Sequence, residues 1–191
     1  MLPLTGELKK ELWRKFIHMG IIIALPIAAI SKGVLVLVIV ACAIMYLSHE
    51  SFVRQGGSVP FLSEAVAKAK RLREKEIAQS PFFMGLGVGI TLLVFPFKPA
   101  AAGLLQLAFA DVASAIIGIT YGAHKLKHSP KKSWEGTTAY FLTALIVMAF
   151  FYSWPIAIFL AIVGAFIESL PYQDWDNLLI PLGVAALASL F

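Results

Sequence analysis

The sequence predicts an all-α, polytopic membrane protein of about seven transmembrane helices, with one further helix outside the bilayer. Three observations carry that reading. Hydrophobic residues make up 59% of the 191, above the roughly 45–50% of soluble domains. Charged residues make up 14%, too few to coat a water-exposed globule of this size. The mean hydropathy is +0.83, and the apolar residues fall into runs separated by short polar turns.

Each element follows from its residues in order. Residues 1–12 mix polar and apolar side chains and predict an interfacial helix leading into the membrane. The first span covers about 13–30, kinked at Pro26. Charges precede it as in a signal peptide, but no small-residue cleavage site with a soluble domain follows, so it reads as a retained helix. Ser31-Lys32-Gly33 turns the chain into a second span, about 33–49, which is almost purely Val, Ile, Leu and Ala. Cys42 lies in this run and reads as a small buried apolar residue; as the one cysteine it forms no disulfide within the chain.

The longest polar segment, 50–80, contains good helix formers after Ser63, a candidate N-cap, and predicts a cytoplasmic helix over 63–79. The third span, about 81–97, carries Gly85, Gly87 and Gly89, spaced for close helix contact rather than for a nucleotide loop. Phe97-Lys98-Pro99 turns into the fourth span, about 99–120. Residues 121–135 form a basic loop. The fifth span is about 136–152, the sixth about 155–169 after Ser153-Trp154-Pro155, and an acidic loop from Glu168 to Asn177 leads to a short seventh, about 178–191. The whole, 1–191, reads as a single transmembrane domain with 50–80 as a helical loop within it.

Orientation follows from the basic residues. With these spans, connections 1–15, 49–80 and 121–135 hold 14 of the 16 Lys and Arg residues, and only Lys32 and Lys98 fall on the other side. The positive-inside rule places the N-terminus in the cytoplasm and the C-terminus outside. The acidic residues, which that rule ignores, also fall on or near the cytoplasmic half. The net charge of +5 therefore suits lipid headgroups and topology, and no nucleic-acid partner is expected.

Asp111 is the sharpest chemical signal. It sits well inside the apolar fourth span, where an unpaired carboxylate costs about 2.5–3.5 kcal/mol or more. Ala110, Ala113, Ser114, Ala115 and Gly118 surround it and leave room for a helix, a metal or a phosphate; a structural ion pair is the plainer alternative. Lys131, Lys132 and Glu135 in SPKKSWEGT offer point charges for phosphate at a helix start, and read equally as flanking charge. Glu168, Asp174, Asp176 and Asn177 supply oxygen ligands of the kind Mg²⁺ takes alongside phosphates; a solvated loop is the alternative, more readily for Asp174 than for Glu168. Arg14 and His18 are four apart on one face of the first helix, as are Glu50 and Arg54 where the second ends. No P-loop, zinc-protease motif, nucleophile elbow or dinucleotide fingerprint occurs.

Four segments in this order, ELWRKFIH at 11–18, ADVASAIIG at 110–118, KKSWEG at 131–136 and ESLPYQDWDNLLIP at 168–181, resemble the CTP-dependent polyprenol, phytol and diacylglycerol kinases typified by dolichol kinase, distant relatives of the phosphatidate cytidylyltransferases. The resemblance implies transfer of the γ-phosphate of CTP, with Mg²⁺, to the hydroxyl of a long-chain lipid alcohol at the cytoplasmic face of the cell membrane. It implies Asp111, Glu168 and Asp176 as metal ligands, and Asp111, Glu168 and His18 as catalytic residues. Lys131, Lys132, Glu135, Arg14 and Asn177 would hold the nucleotide. The chain lacks the extra N-terminal spans of better-known members and the cytidylyltransferase signature, which favours phosphoryl over nucleotidyl transfer. A small transporter using Asp111 and a purely structural subunit are the competing classes, and Gly-rich faces would allow a homodimer.

Overall fold

The computed structural model describes residues 6–60, 63–64, 66, 79–172 and 174–191. Helix α1 (Gly6–Met19), a 3₁₀ turn (Gly20–Ile23) and α2 (Ala24–Ile30) form one rod. The tighter turn precedes Pro26, which has no N–H to return to Ile22, so the expected kink takes the form of a 3₁₀ stretch. Ser31 breaks the rod in an extended conformation. Its hydroxyl accepts from the Val34 amide at 3.3 Å and caps α3 (Lys32–Arg54).

Helix α4 is Gln79–Val94. A second long rod comes next, made of α5 (Phe97–Leu105), a π turn (Gln106–Ala110) and α6 (Asp111–Tyr121). Strands β1 (Lys125–Leu126) and β2 (Ser129–Ser133) pair antiparallel. Three helices complete the chain: α7 (Trp134–Ala149), α8 (Trp154–Ser169) and α9 (Asp176–Ala188). Ser133 caps α7, its hydroxyl accepting from the Gly136 amide at 3.2 Å.

The packing centres on the second rod and the last three helices. Helix α7 lies between α6 and α8, and α9 packs on α4, α5 and α8. Helix α1 joins through α6, while α3 touches α2 and α4. Leu104, Leu107, Tyr140, Met148, Leu160 and Ile180 fill the centre. The apolar side chains of α3 point mostly outward, among them Leu37, Ile44 and Leu47, an arrangement that suits hydrocarbon rather than water.

One end of the bundle is marked by the two off-side lysines. Lys32 donates to the Leu93 carbonyl at 3.1 Å, and Lys98 sits 4.2 Å over the Tyr152 ring. The other end carries the hairpin and the α8–α9 connection.

Every predicted span falls on a helix, with ends displaced by a few residues. Among the described residues, three stretches are long and apolar enough to cross a membrane: Lys9–Ile30, Lys32–Arg54 and Phe97–Tyr121. Helices α4, α8 and α9 are apolar but shorter, and α7 has 16 residues. The loop predicted at 121–135 contains a β-hairpin instead, so among the described residues the architecture departs from all-α there. Cys42 is exposed on α3 rather than buried. The helix expected over 63–79 lies largely outside the described residues; Ser63 accepts from the Val59 amide and meets His49 Nε2, both at 2.9 Å.

Of the three spaced glycines, Gly87 alone meets the backbone of another helix. A Cβ there would lie 2.4 Å from the Asn177 carbonyl oxygen, whereas at Gly85 it would meet nothing within 4 Å. Gly103 plays the same part on α5, where a Cβ would lie 2.3 Å from the Pro181 carbonyl oxygen. Helix α9 thus rests in two backbone notches that no side chain can vacate. Gly103→Ala should therefore destabilise by about 1–3 kcal/mol, while Gly85→Ala should be neutral or stabilising by up to about 1 kcal/mol. Thermal unfolding in detergent checks this, and equal effects would contradict the notch.

Candidate active site

Six elements converge at the hairpin end. Helix α1 brings Arg14, Lys15 and His18, and α6 brings Asp111 and Ser114. The hairpin brings Lys132, α7 brings Thr137, α8 ends on Glu168, and α9 begins at Asp176. Asp111 is buried, and the Lys15 ammonium donates to its Oδ2. His18 Nδ1 lies 3.9 Å from the same oxygen. Since Lys15 is itself 4% exposed, this is an ion pair removed from water, and losing either partner would strand the other.

The carboxylate of Glu168 is fully engaged. Oε1 accepts from Lys132 Nζ at 2.7 Å and from Ser114 Oγ at 2.8 Å, and Oε2 accepts from Thr137 Oγ1 at 3.2 Å. Lys132 also lies 3.6 Å from Asp176 Oδ2. Burial alone would lower the Lys132 ammonium, but the charges of Glu168, Asp176 and Asp111 outweigh it and raise its pKa. Lys132 therefore stays charged throughout the neutral range. Arg14 donates to Glu11 and lies 3.8 Å from Asp174. Asp174 adopts a left-handed backbone, φ 68°, and is buried rather than solvated.

The π turn sets the direction of Asp111. A π turn adds one residue to the helix and rotates every later residue by about 100°. Gln106, fully buried, holds it: its Nε2 donates to the Leu160 carbonyl at 3.1 Å and its Oε1 accepts from Tyr140 OH at 3.2 Å. Gly164 leaves the room, since a Cβ there would fall 2.0 Å from Gln106 Oε1.

Of the sequence candidates, Asp111, His18, Arg14, Lys132, Glu168 and Asp176 belong to the convergent set. Asn177 is turned to α4 instead, its side-chain amide donating to Ser80 Oγ at 2.9 Å. Glu135 holds the other end of the hairpin: His124 Nδ1 lies 2.6 Å from its Oε1, and the His124 amide donates to the same oxygen at 3.1 Å. Lys131 is exposed. Thr137 and Gln106 are not among the candidates, and Lys15 enters only as part of the ELWRKFIH segment, with no role of its own. Gln106 was signalled by being a lone amide in an apolar run; Lys15 looked like any flanking lysine.

Among the described residues, no three or more His, Cys, Asp or Glu side chains gather as a metal cage. Glu168 and Asp176 share one ammonium instead. That donor set suits a hard cation whose shell is completed by phosphate oxygens.

The chain has relatives among phytol kinases. It is 34% identical to phytol kinase of Synechocystis sp. over 99 residues, 47% of this chain and 42% of that protein. It is 27% identical over 138 residues to phytol kinase 1, chloroplastic, of Arabidopsis thaliana, 62% of this chain and 45% of the other. It is 24% identical over 152 residues to probable phytol kinase, chloroplastic, of Triticum aestivum, 68% and 50%. The chain spans half or less of the length of these curated relatives. No protein-family profile and no solved structure matches it.

The hairpin joint gives a pH test. Its hydrogen bond from His124, then the nearby amides, hold the Glu135 pKa down to about 2, below the ordinary 4.5 of the unfolded chain. A depressed carboxylate contributes stability that is present above 4.5 and lost as pH falls through about 2. The protection factor of the His124 amide, its exchange relative to an unstructured amide at the same pH, should therefore fall over that window, and Glu135→Gln should abolish the pH dependence. Unchanged protection in the variant would contradict the joint.

Proposed function

We propose that the chain is the catalytic part of a lipid-alcohol kinase, which moves the γ-phosphate of a nucleoside triphosphate, CTP, to the hydroxyl of a long-chain isoprenoid alcohol such as phytol or a polyprenol. The observation that carries this is the buried lysine–carboxylate cluster at one end of an apolar bundle; relatives named phytol kinase support the same class. The lipid tail stays in the bilayer while its hydroxyl reaches the cluster, and the nucleotide enters from the cytoplasm.

The chemistry asks chiefly for positioning and charge neutralisation. The alcohol oxygen bonds to the γ-phosphorus as the bond from that phosphorus to the β–γ bridging oxygen breaks, releasing the nucleoside diphosphate. The hydroxyl proton passes to the Asp111 carboxylate, with His18 as the next acceptor. Glu168, which accepts from three donors, holds Lys132 against the phosphates. Mg²⁺, held by Asp176 and Glu168 with phosphate oxygens, would supply further neutralisation.

Transfer of γ-label from CTP or ATP to phytol or polyprenols by the purified protein tests this. Label should appear in lipid with Mg²⁺ present and fall about 10²–10⁴-fold in Asp111→Asn, the range for a lost general base. No label from folded protein would overturn the kinase, and α-label in lipid would mean nucleotidyl transfer. Full activity in Asp111→Asn would remove that residue from the chemistry.

A further inference from the structure

Beside the cluster lies a cleft of about 490 Å³ whose walls are the hairpin and the α8–α9 connection, with Lys131, Lys132, Pro130, Leu170, Tyr172 and Trp175 facing it. Its volume falls in the range of small-molecule sites. Lys132 belongs to both places: it faces the cleft and its ammonium bonds Glu168, so the cleft and the cluster meet at that side chain.

The two aromatic residues have no part in the lysine–carboxylate network. Trp175 is 47% exposed yet held in place, with Phe83 of α4 against it at 5.0 Å between ring centroids. Phe83 does not line the cleft, so the indole bridges α4 and the cleft wall. Tyr172 is also exposed. Phosphate alone has no use for aromatic faces, and both walls are a hairpin and a helix connection rather than apolar helix. A flat, polar, water-soluble ring joined to phosphates uses every feature: aromatic faces for the ring and lysines for the charge.

We propose that this cleft seats the base and ribose of the nucleotide, the base stacked on Trp175 and Tyr172 while Lys131 and Lys132 take the phosphates. The inference rests on the nucleotide-dependent kinase reading and adds the place where the nucleoside half binds.

Equilibrium binding of labelled CTP to the purified protein in detergent tests it without turnover, with inorganic tripolyphosphate as competitor. Trp175→Ala should weaken CTP binding about tenfold, within the range for loss of a base–aromatic stack. It should leave tripolyphosphate affinity within about twofold, and Trp175→Phe should recover most of the loss. Unchanged CTP affinity in Trp175→Ala would overturn the cleft, as would equal weakening of CTP and tripolyphosphate, or no CTP binding by the parent protein. CTP binding that shows the expected pattern without phosphoryl transfer would leave the cleft standing and overturn the kinase.

Discussion

The ion pair between Lys15 and Asp111 is the contact on which the hairpin end of this protein depends. An ammonium and a carboxylate both withdrawn from water are costly apart and tolerable together. Each therefore fixes the other, although 96 residues separate them. The pair ties the first rod to the second and commits the C-terminal half of α1 to the same place as the start of α6. Beside Asp111, Lys132 lies between Glu168 and Asp176, one cation held by two carboxylates.

The rest of the bundle supports this geometry. Backbone notches at Gly87 and Gly103 seat α9, whose first residue is Asp176. The amide of Gln106 holds open the π turn immediately before Asp111. Caps at Ser31 and Ser133 decide where helices start, and the Ser133 cap fixes the distance from Lys132 to the first turn of α7, where Thr137 reaches Glu168. The apolar exterior of α3 keeps the structure in lipid, while the polar groups collect where a lipid hydroxyl and a water-soluble nucleotide would meet.

The helices were legible because apolar runs and turn residues are local signals. Asp111 was legible as a carboxylate where carboxylates are expensive, and Glu168 as one ending an apolar helix. Lys15 was not, since a lysine before an apolar run looks the same whether it snorkels or turns inward; its partner is known only from tertiary contact. The hairpin was hidden because SPKKS has neither alternation nor β-branched residues, and pairs through its ends. The π turn leaves no break in LLQLAFAD, and Gln106 alone hints at it. Asn177 looked like a ligand because an amide's partner across two helices cannot be read from its own segment.

The most direct measurement is a double-mutant cycle on Lys15→Met and Asp111→Leu, read as unfolding free energy in mixed micelles. Each single change should cost about 3–5 kcal/mol by stranding a buried charge. The double variant should cost far less than their sum, giving a coupling of about 2 kcal/mol or more. Small, additive effects would mean that the two side chains do not depend on each other, and the central claim would fall.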